Sequence, residues 1–327
     1  MISIIIPNLN GEKFLKDCIN SIINQEIDEK FEIIIVDNGS KDKSEDIIKK
    51  GYPEINFIKL DKNYGFAKAV NIGIKNSNGE YIVLLNNDIV LDKNFLKNLK
   101  KGLDDNPEVD FCASRILMIN DKNLIYGAGD IYKNNGTAEL RGYGKPKNLY
   151  EKSEFVFGAC AAASIYRREL FEKIGLFDED FFAYYEDVDL DWRAQLFGFK
   201  CLYVPEAIVY HYGSSTFGNF SDFKIYYGTR NILLVLFKDV PDFFVKKYFL
   251  NILFIQIGRL IFFTLRGKLL PVIRALIDAF KMKKLMKEKR KEIYNNIKVS
   301  DKYVESIITK ISLNNYFEKF KLKLKEK

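Results

Sequence analysis

The 327-residue chain has one histidine, one tryptophan, seven prolines and four cysteines. The cysteines, Cys18, Cys112, Cys160 and Cys201, lie far apart among apolar or small residues. This spacing argues against a zinc knuckle and against a disulfide framework. We therefore expect a protein of a reducing compartment.

The usual glycine-rich phosphate loops are also absent. No segment matches GxxxxGK(S/T), and Gly127-Ala128-Gly129 lacks the third glycine and the helix opening of a dinucleotide fingerprint. These absences exclude a P-loop nucleotide hydrolase and argue against a dehydrogenase. A nucleotide would have to be held by side chains at strand ends and by a metal ion.

Long uncharged apolar runs are missing as well. Tyr248 to Leu265 is apolar but contains Asn251, Gln256 and Arg259. A charge at the centre of a bilayer costs about 2.5–3.5 kcal/mol on insertion scales, so we do not predict a membrane span. The chain begins in a predicted strand without the basic and apolar regions of a signal peptide, and we expect none.

Charge is divided unevenly along the chain. Residues 1–220 carry 27 Lys/Arg against 34 Asp/Glu, a net charge of −7, whereas residues 221–327 carry 24 against 10, a net charge of +14. The basic part is also rich in Phe, Ile and Leu, which points to an anionic membrane surface rather than to nucleic acid.

The basic part predicts amphipathic helices. Apolar residues recur at helical spacing from Leu269 to Phe280, and the run from Lys281 to Lys291 is strongly basic. We expect these helices to lie on a membrane, with core packing or an oligomer interface such as a homodimer as alternatives. The tail Lys319 to Lys327 is expected to be a solvated helix end or a further lipid contact.

Strand and helix patterns alternate over the first 90 residues. Predicted strands cover Ile2–Ile6, Phe31–Val36, Asn56–Lys59 and Tyr81–Leu85, and Asn10 is expected to cap the helix after the first strand. Alternation at this spacing predicts an α/β fold with a Rossmann-like, mostly parallel sheet flanked by helices.

Polar residues follow these strands where ligands bind in open α/β sheets. The carboxylate of Asp88, after Asn86 and Asn87, suits Mg²⁺ or Mn²⁺, and Asp37 suits the imide N–H of uracil or thymine. Both aspartates have an alternative role in forming turns.

Residues 177–193 place seven carboxylates among six aromatic rings. Helix capping explains one or two of these acids, whereas crowding raises their proton affinity and makes one of them a candidate general base. Cys201 to Tyr210 is predicted to form a strand, a turn and a second strand, and the single histidine, His211, follows the second strand. It is either a hydrogen-bonded structural residue or a ligand of the same metal as Asp88.

These segments together resemble family 2 glycosyltransferases of the GT-A fold, in particular a rhamnosyltransferase-like branch. The resemblance covers roughly residues 2–235. The matching segments are Ile4–Gly11, Val36–Ser40, Asn63–Ala67 with Asn71, Leu84–Asp88, Gly175–Arg193, and His211 with Gly213 and Ser215.

The resemblance implies a role for each matching residue. It places the nucleotide sugar against Pro7, Asn8, Asn10, Asp37, Asn63, Asn71 and Asn87. It implies that Asp88, Asn86 and His211 bind Mg²⁺ or Mn²⁺, with Asn86 in place of the first aspartate of the DXD motif. It makes Asp187 the catalytic base, and we expect Glu186, Asp189, Trp192 and Gly158 to bind the acceptor.

The implied activity is inverting transfer from dTDP-rhamnose or a UDP-sugar to a hydroxyl of a glycan or lipid-linked acceptor, in synthesis of cell-surface polysaccharide or glycoconjugate. We expect a GT-A catalytic domain at 1–220, with a nucleotide-sugar half at about 1–105 and an acceptor half at about 106–220. A basic helical region at 221–327 would hold the protein peripherally on the cytoplasmic face of the cell membrane. The alternative is a non-catalytic, membrane-associated module that binds nucleotide sugars.

Overall fold

The computed structural model describes residues 1–213 and 221–312. Ser215 and the tail Lys319 to Lys327 lie outside these ranges. The strands are β1 (Ile2–Asn8), β2 (Phe31–Asp37), β3 (Asn56–Lys59), β4 (Tyr81–Leu85), β5 (Ile89–Leu91), β6 (Phe111–Met118), β7 (Asp121–Gly127), β8 (Asp130–Tyr132), β9 (Ala138–Leu140), β10 (Glu154–Val156), β11 (Ala163–Arg167) and β12 (Cys201–His211).

Helices surround the sheet and continue beyond it. They are α1 (Leu15–Ile23), α2 (Ser44–Gly51), α3 (Phe66–Lys75), α4 (Phe95–Asp104), α5 (Arg168–Ile174), α6 (Glu186–Leu196), α7 (Asp222–Lys238), α8 (Asp242–Lys247), α9 (Phe249–Thr264), α10 (Leu269–Tyr294) and α11 (Asp301–Ile307). The predicted α/β class, with helices flanking the sheet, is confirmed.

The main sheet has the strand order β10-β12-β6-β11-β4-β1-β2-β3. Strands β3, β2, β1 and β4 run parallel, as the alternating pattern predicted, and β11 joins them antiparallel to β4. In this register Asn8 at the end of β1 lies beside Asp37 at the end of β2. The sheet therefore brings the polar strand ends to one edge.

Two local predictions need correction. Asn10 does not cap α1, because the helix begins only at Leu15 and the Oδ1 of Asn10 accepts the backbone N–H of Lys41 at 2.8 Å. Residues 201–211 form one strand rather than two, with an irregular register between Val204 and Ile208. Pro205 lacks an N–H for the ladder, which explains the irregularity.

An apolar core crosses the predicted boundary at residue 220. Trp192 of α6 belongs to the same buried cluster as Leu234 of α7, Phe244 of α8 and Met286 of α10. The helices after residue 220 thus pack on the preceding part of the chain. The two-domain division itself remains a prediction.

Buried charges join the same elements. Asp189 of α6 is fully buried and accepts hydrogen bonds from Arg193 at 2.8 and 3.0 Å, and it also pairs with Lys238 of α7. Lys238 contacts Asp178 as well, at 2.7 Å. Because the acid and both cations are buried, each depends on the others for its stability.

Asp189→Ala is expected to lower the free energy of unfolding by about 3–5 kcal/mol, because it removes the buried acid that pairs with Arg193 and with Lys238 and leaves Asp178 as the remaining partner of Lys238. Urea denaturation of the purified chain measures this change. Glu26→Ala, which removes an exposed ion pair with Lys93, is the control and should cost less than about 1 kcal/mol. Equal effects of the two substitutions would contradict the buried-network interpretation.

Candidate active site

Three strand ends meet through side-chain amides at the carboxyl edge of the parallel strands. Asn8 donates from Nδ2 to Asp37 Oδ1 at 2.8 Å, and Asn87 donates from Nδ2 to Asn8 Oδ1 at 2.7 Å. Both Asn8 and Asp37 are buried. A Cβ at Gly11 would lie 2.1 Å from Asn8 Oδ1, so the loop after Pro7 approaches this pair too closely for a side chain.

Asp37 also closes a turn. Its Oδ2 accepts the backbone N–H of Ser40 at 3.2 Å, and the Ser40 hydroxyl donates to its Oδ1. The turn-forming role considered from sequence is therefore present. A carboxylate offers about four lone-pair positions, so Asp37 retains acceptor capacity for a ligand.

Two further asparagines predicted to bind the nucleotide, Asn63 and Asn71, differ in their contacts. Asn63 lies in the loop before α3, where its Oδ1 accepts from Gly65 N at 2.9 Å. Asn71 lies inside α3 and is almost fully buried. Its amide binds both the N–H and the C=O of Phe177, at 3.0 and 2.8 Å. The Asn71 side chain thus holds the loop before α6, and its predicted contact with the nucleotide stays a prediction.

Asp88 and His211 lie side by side. His211 Nε2 is 3.3 Å from Asp88 Oδ1, although the two are not aligned for a hydrogen bond. Burial lowers the pKa of His211 below its usual value, against the opposing charge of Asp88. Its Nδ1 accepts the backbone N–H of Gly213 at 2.8 Å. The neutral ring therefore carries its proton on Nε2.

This tautomer bears on the predicted metal ligands. With a proton on Nε2, His211 acts as a donor toward Asp88 or a phosphate oxygen, whereas metal binding through Nε2 would require Gly213 to turn away. Within residues 1–213 and 221–312, no group of three or more His, Cys, Asp or Glu side chains is arranged to hold a metal.

Asp88 nevertheless fits one mode of divalent-metal binding. Magnesium is commonly bound by one or two carboxylates together with substrate phosphates. Asp88 directly follows the Asn86-Asn87 turn at the end of β4, and the half-buried Asn86 adds an amide oxygen. The residues fit a metal that shares its ligands with a bound diphosphate, rather than one enclosed by protein.

The run of small residues lies against the first turns of α6. Ala159 N donates to Asp191 Oδ1 at 3.1 Å, and Ala161 N donates to the carboxylate of Asp187. A Cβ at Gly158 would lie 1.8 Å from Asp191 Oδ2. Gly158 therefore allows the backbone to approach α6, and its predicted contact with the acceptor stays a prediction.

Four carboxyl groups surround this contact, of which Asp130, Glu186 and Asp191 are buried and Asp187 is half-buried. Burial raises the pKa of Asp130, Glu186 and Asp191 well above the usual range, and the charge of Asp187 adds to each shift. Burial also raises the pKa of Asp187, but backbone N–H groups of Val188 and Ala161 counteract it. Asp187 is thus the member of this cluster best suited to be ionised and to take a proton.

Two predicted acceptor residues face the other way. A residue two positions along a helix is rotated by about 200°, so Asp189 points away from Asp187. Asp189 lies in the buried ion network, and the ring centroid of Trp192 is 4.8 Å from that of Tyr132 and 5.2 Å from that of Phe157. Neither side chain can reach an acceptor in this structure, whereas Glu186 remains a candidate.

Asp130 was not predicted from sequence. It begins β8 directly after the Gly127-Ala128-Gly129 turn, and its N–H donates to Gly158 O at 2.9 Å. The surrounding segment shows neither strand nor helix periodicity. Only the fold brings Asp130 beside α6.

Asp130→Asn is expected to stabilise the protein at pH 8, with a gain that shrinks toward pH about 4. A carboxyl group whose pKa is raised by folding binds its proton more tightly in the folded state. Its contribution to stability is therefore lost as pH rises through the folded pKa. Urea denaturation across this range measures the effect, with exposed Asp28→Asn as control. A constant difference between native and variant would contradict it.

Comparison with known proteins identifies the family. The family model Glycosyl transferase family 2 matches residues 3–175. Poly-beta-1,6-N-acetyl-D-glucosamine synthase of Staphylococcus epidermidis is 24% identical over 262 residues, which is 78% of this chain and 60% of the relative. The chain thus spans less than two thirds of the length of that relative.

Another relative covers more of both chains. The Methanococcus voltae enzyme named dolichyl N-acetyl-alpha-D-glucosaminyl phosphate 3-beta-D-2,3-diacetamido-2,3-dideoxy-beta-D-glucuronosyltransferase is 29% identical over 294 residues, 84% of this chain and 88% of its own.

Solved structures share the fold at low identity. S. aureus TarS 1-349 in complex with UDP-GlcNAc has a TM-score of 0.56 and 20% identity, covering 90% of this chain and 88% of TarS 1-349. Mannosyltransferase PcManGT from Pyrobaculum calidifontis, in complex with GDP-Man and Mn²⁺, has a TM-score of 0.55 and 13% identity, covering 94% and 82%. The predicted GT-A fold is confirmed by these likenesses. The chain belongs to glycosyl transferase family 2.

Proposed function

We propose that this glycosyltransferase is metal-dependent and inverting, and that it moves a sugar from a nucleoside diphosphate sugar to a hydroxyl of a glycan or lipid-linked acceptor. The observation that carries the proposal is Asp187. Its half-buried carboxylate lies in the first turn of α6, where backbone N–H groups favour its anionic form. Such a group is a competent general base for a hydroxyl.

The strand-end network supports a nucleotide sugar as donor. Asn8, Asp37 and Asn87 form a fixed set of amide and carboxylate groups, and Asp37 has capacity to accept the imide N–H of a pyrimidine. The structures of TarS 1-349 and PcManGT are complexes with UDP-GlcNAc and with GDP-Man, respectively. We propose a UDP-sugar or dTDP-rhamnose here, the latter on the rhamnosyltransferase-like resemblance.

The proposed mechanism is a single displacement. Asp187 removes the proton of the acceptor hydroxyl as that oxygen attacks the anomeric carbon, and the nucleoside diphosphate leaves with the electrons of its bond to the sugar. A single displacement with one base inverts the anomeric configuration, which is also what the family resemblance implies. Mg²⁺ or Mn²⁺ bound through Asp88 and Asn86 would offset charge on the diphosphate, as the Mn²⁺ in the PcManGT complex suggests.

The helices α9 and α10 support a membrane-bound acceptor. Exposed apolar side chains recur every fourth residue along α9, at Phe249, Leu253, Ile257, Ile261 and Leu265, and continue along α10. Arg259 faces inward instead, where its Nη2 donates to Thr229 Oγ1 at 3.1 Å. An apolar face beside many lysines matches a helix lying in the interface of an anionic membrane.

No helix within the described ranges is both long and apolar enough to span a bilayer. We propose peripheral attachment to the cytoplasmic face of the cell membrane. The name of the Methanococcus voltae relative refers to a dolichyl-linked sugar phosphate, which supports a lipid-linked acceptor.

Asp187→Asn is expected to lower kcat by about 10²–10⁴-fold while donor binding survives, because the variant keeps the shape and loses the base. The measurement is nucleoside diphosphate release from a panel of UDP-, GDP- and dTDP-sugars with polyprenyl-linked acceptors, in Mn²⁺, Mg²⁺ or chelator. Exposed Asp104→Asn is the control and should retain activity. Chelator-insensitive turnover would refute the metal, and a product with retained anomeric configuration would refute the single displacement.

Replacing Ile257 and Ile261 together by Glu is expected to weaken binding to anionic vesicles at least about tenfold, because a buried Ile contributes about 1.5–3 kcal/mol. Vesicle flotation with phosphatidylglycerol or phosphatidylcholine measures it. Ile23→Glu, an exposed isoleucine on α1, is the control. A native dimer that becomes monomeric in the double variant, without vesicle binding, would show an interface between copies instead.

A further inference from the structure

Residues 178–185, here called the strap, lead directly into α6 and so to Asp187. The strap contains no glycine, yet three of its residues have a positive φ: Phe182 at 66°, Tyr184 at 65° and Tyr185 at 68°. Bulky residues rarely adopt this conformation unless the surroundings impose it. The conformation of the strap must therefore be set by contacts from outside it.

The second half of the strap is held from α7. Asn231 is fully buried, and its Nδ2 donates to the carbonyl oxygens of Phe181, Ala183 and Tyr184 at 2.9, 2.9 and 2.6 Å. Arg230 fixes this amide, because its Nε donates to Asn231 Oδ1 at 2.9 Å. A guanidinium donor on the oxygen leaves the amide N–H groups facing the strap.

Arg230 adds its own contacts to the strap. Its Nη2 donates to the carbonyl oxygens of Asp180 and Phe181, at 2.7 and 2.9 Å. On the opposite side, α3 receives the turn at Phe182. Ala67 N donates to Phe182 O at 3.3 Å, and a Cβ at Gly65 would lie 2.5 Å from that oxygen. The strap is thus clamped between α3 and α7.

We propose that Asn231 is a positioning residue for the reaction: by holding the strap, its amide sets the direction in which α6 begins and in which Asp187 faces the crevice. This inference rests on the proposed function, in which Asp187 is the base. Asn231 binds the carbonyl of Tyr184, three residues before Asp187. A change at Asn231 that moves Tyr184 is therefore expected to move Asp187 as well.

The consequence for the chemistry is specific. Asp187 is half-buried, and its partial burial raises its pKa. A loosened strap admits water to the carboxylate and lowers that pKa, so the acid limb of the kcat/KM profile moves to lower pH. Misplacement of a reacting group by about 1 Å costs up to about 10²-fold in rate. Asn8 and Asp37 belong to β1 and β2, and donor binding should be retained.

Asn231→Asp tests the proposal. It keeps the oxygen that accepts from Arg230 and removes the N–H groups that hold the strap. We expect kcat to fall by about 10²-fold, the donor dissociation constant to stay within about twofold, and the acid limb to move to lower pH. Asn231→Ser, which keeps one donor and adds no charge, should be intermediate and serves if Asn231→Asp does not fold.

Asn296→Asp is the matched control, because its exposed amide also donates to a carbonyl, that of Glu292, at 2.9 Å. It should behave as the native protein. Activity that falls only in proportion to the unfolded fraction, with an unmoved acid limb, would overturn the proposal.

Hydrogen exchange provides a readout that does not need turnover. The backbone amides of residues 179–189 should exchange faster in Asn231→Asp than in the native chain or in Asn296→Asp. Unchanged exchange there in a folded variant would overturn the proposal even if activity fell. A native chain without turnover of any donor would refute the proposed function, whereas faster exchange would still support Asn231 as the residue that holds the strap.

Discussion

The buried contact of Asp189 with Arg193 and Lys238 is the constraint on which the site depends. A carboxylate without solvent is tolerated only when cations and hydrogen bonds surround it, so α6 can adopt few orientations. Asp189 fixes the inner face of the helix. The opposite face, which carries Asp187 and Asp191, is then directed at the backbone N–H groups of residues 159–161. One set of buried charges thus orients a second set of carboxylates, among which Asp187 is the proposed base.

The helices after residue 220 have two roles that composition alone does not separate. Their inner faces are polar at selected points, where Lys238, Arg230 and Asn231 bind α6 and the strap. Their outer faces, along α9 and α10, expose apolar side chains. The helices after residue 220, which composition predicts to lie on a membrane, therefore also support the proposed base structurally. The catalytic unit extends beyond the predicted boundary at residue 220 in this physical sense.

The sequence predicted the sheet well because alternating strand and helix periods leave few possible topologies. It also predicted which strand ends carry polar groups, since Asn8, Asp37 and Asp88 follow apolar runs. It grouped Asn71, Asp189 and Trp192 with the site residues, whereas their side chains are buried in contacts with other elements. Order along a motif places residues near a site, but the helical period and the partner helices decide which face they occupy. Asp130 and Asn231 were missed since their roles arise from contacts between segments far apart in the chain, which one sequence does not display.

The arrangement of Asp88 and His211 suggests why metal and donor should bind together. A single carboxylate with a neighbouring amide offers a divalent ion few ligands, and His211 keeps its Nε2 proton while Gly213 occupies Nδ1. On the proposed function, the remaining ligands would come from the donor diphosphate, so each of the two would raise the affinity for the other by the same factor. The imidazole N–H then faces a region that becomes rich in phosphate oxygens only when donor is present. A site of this kind holds its metal through the substrate rather than in advance of it.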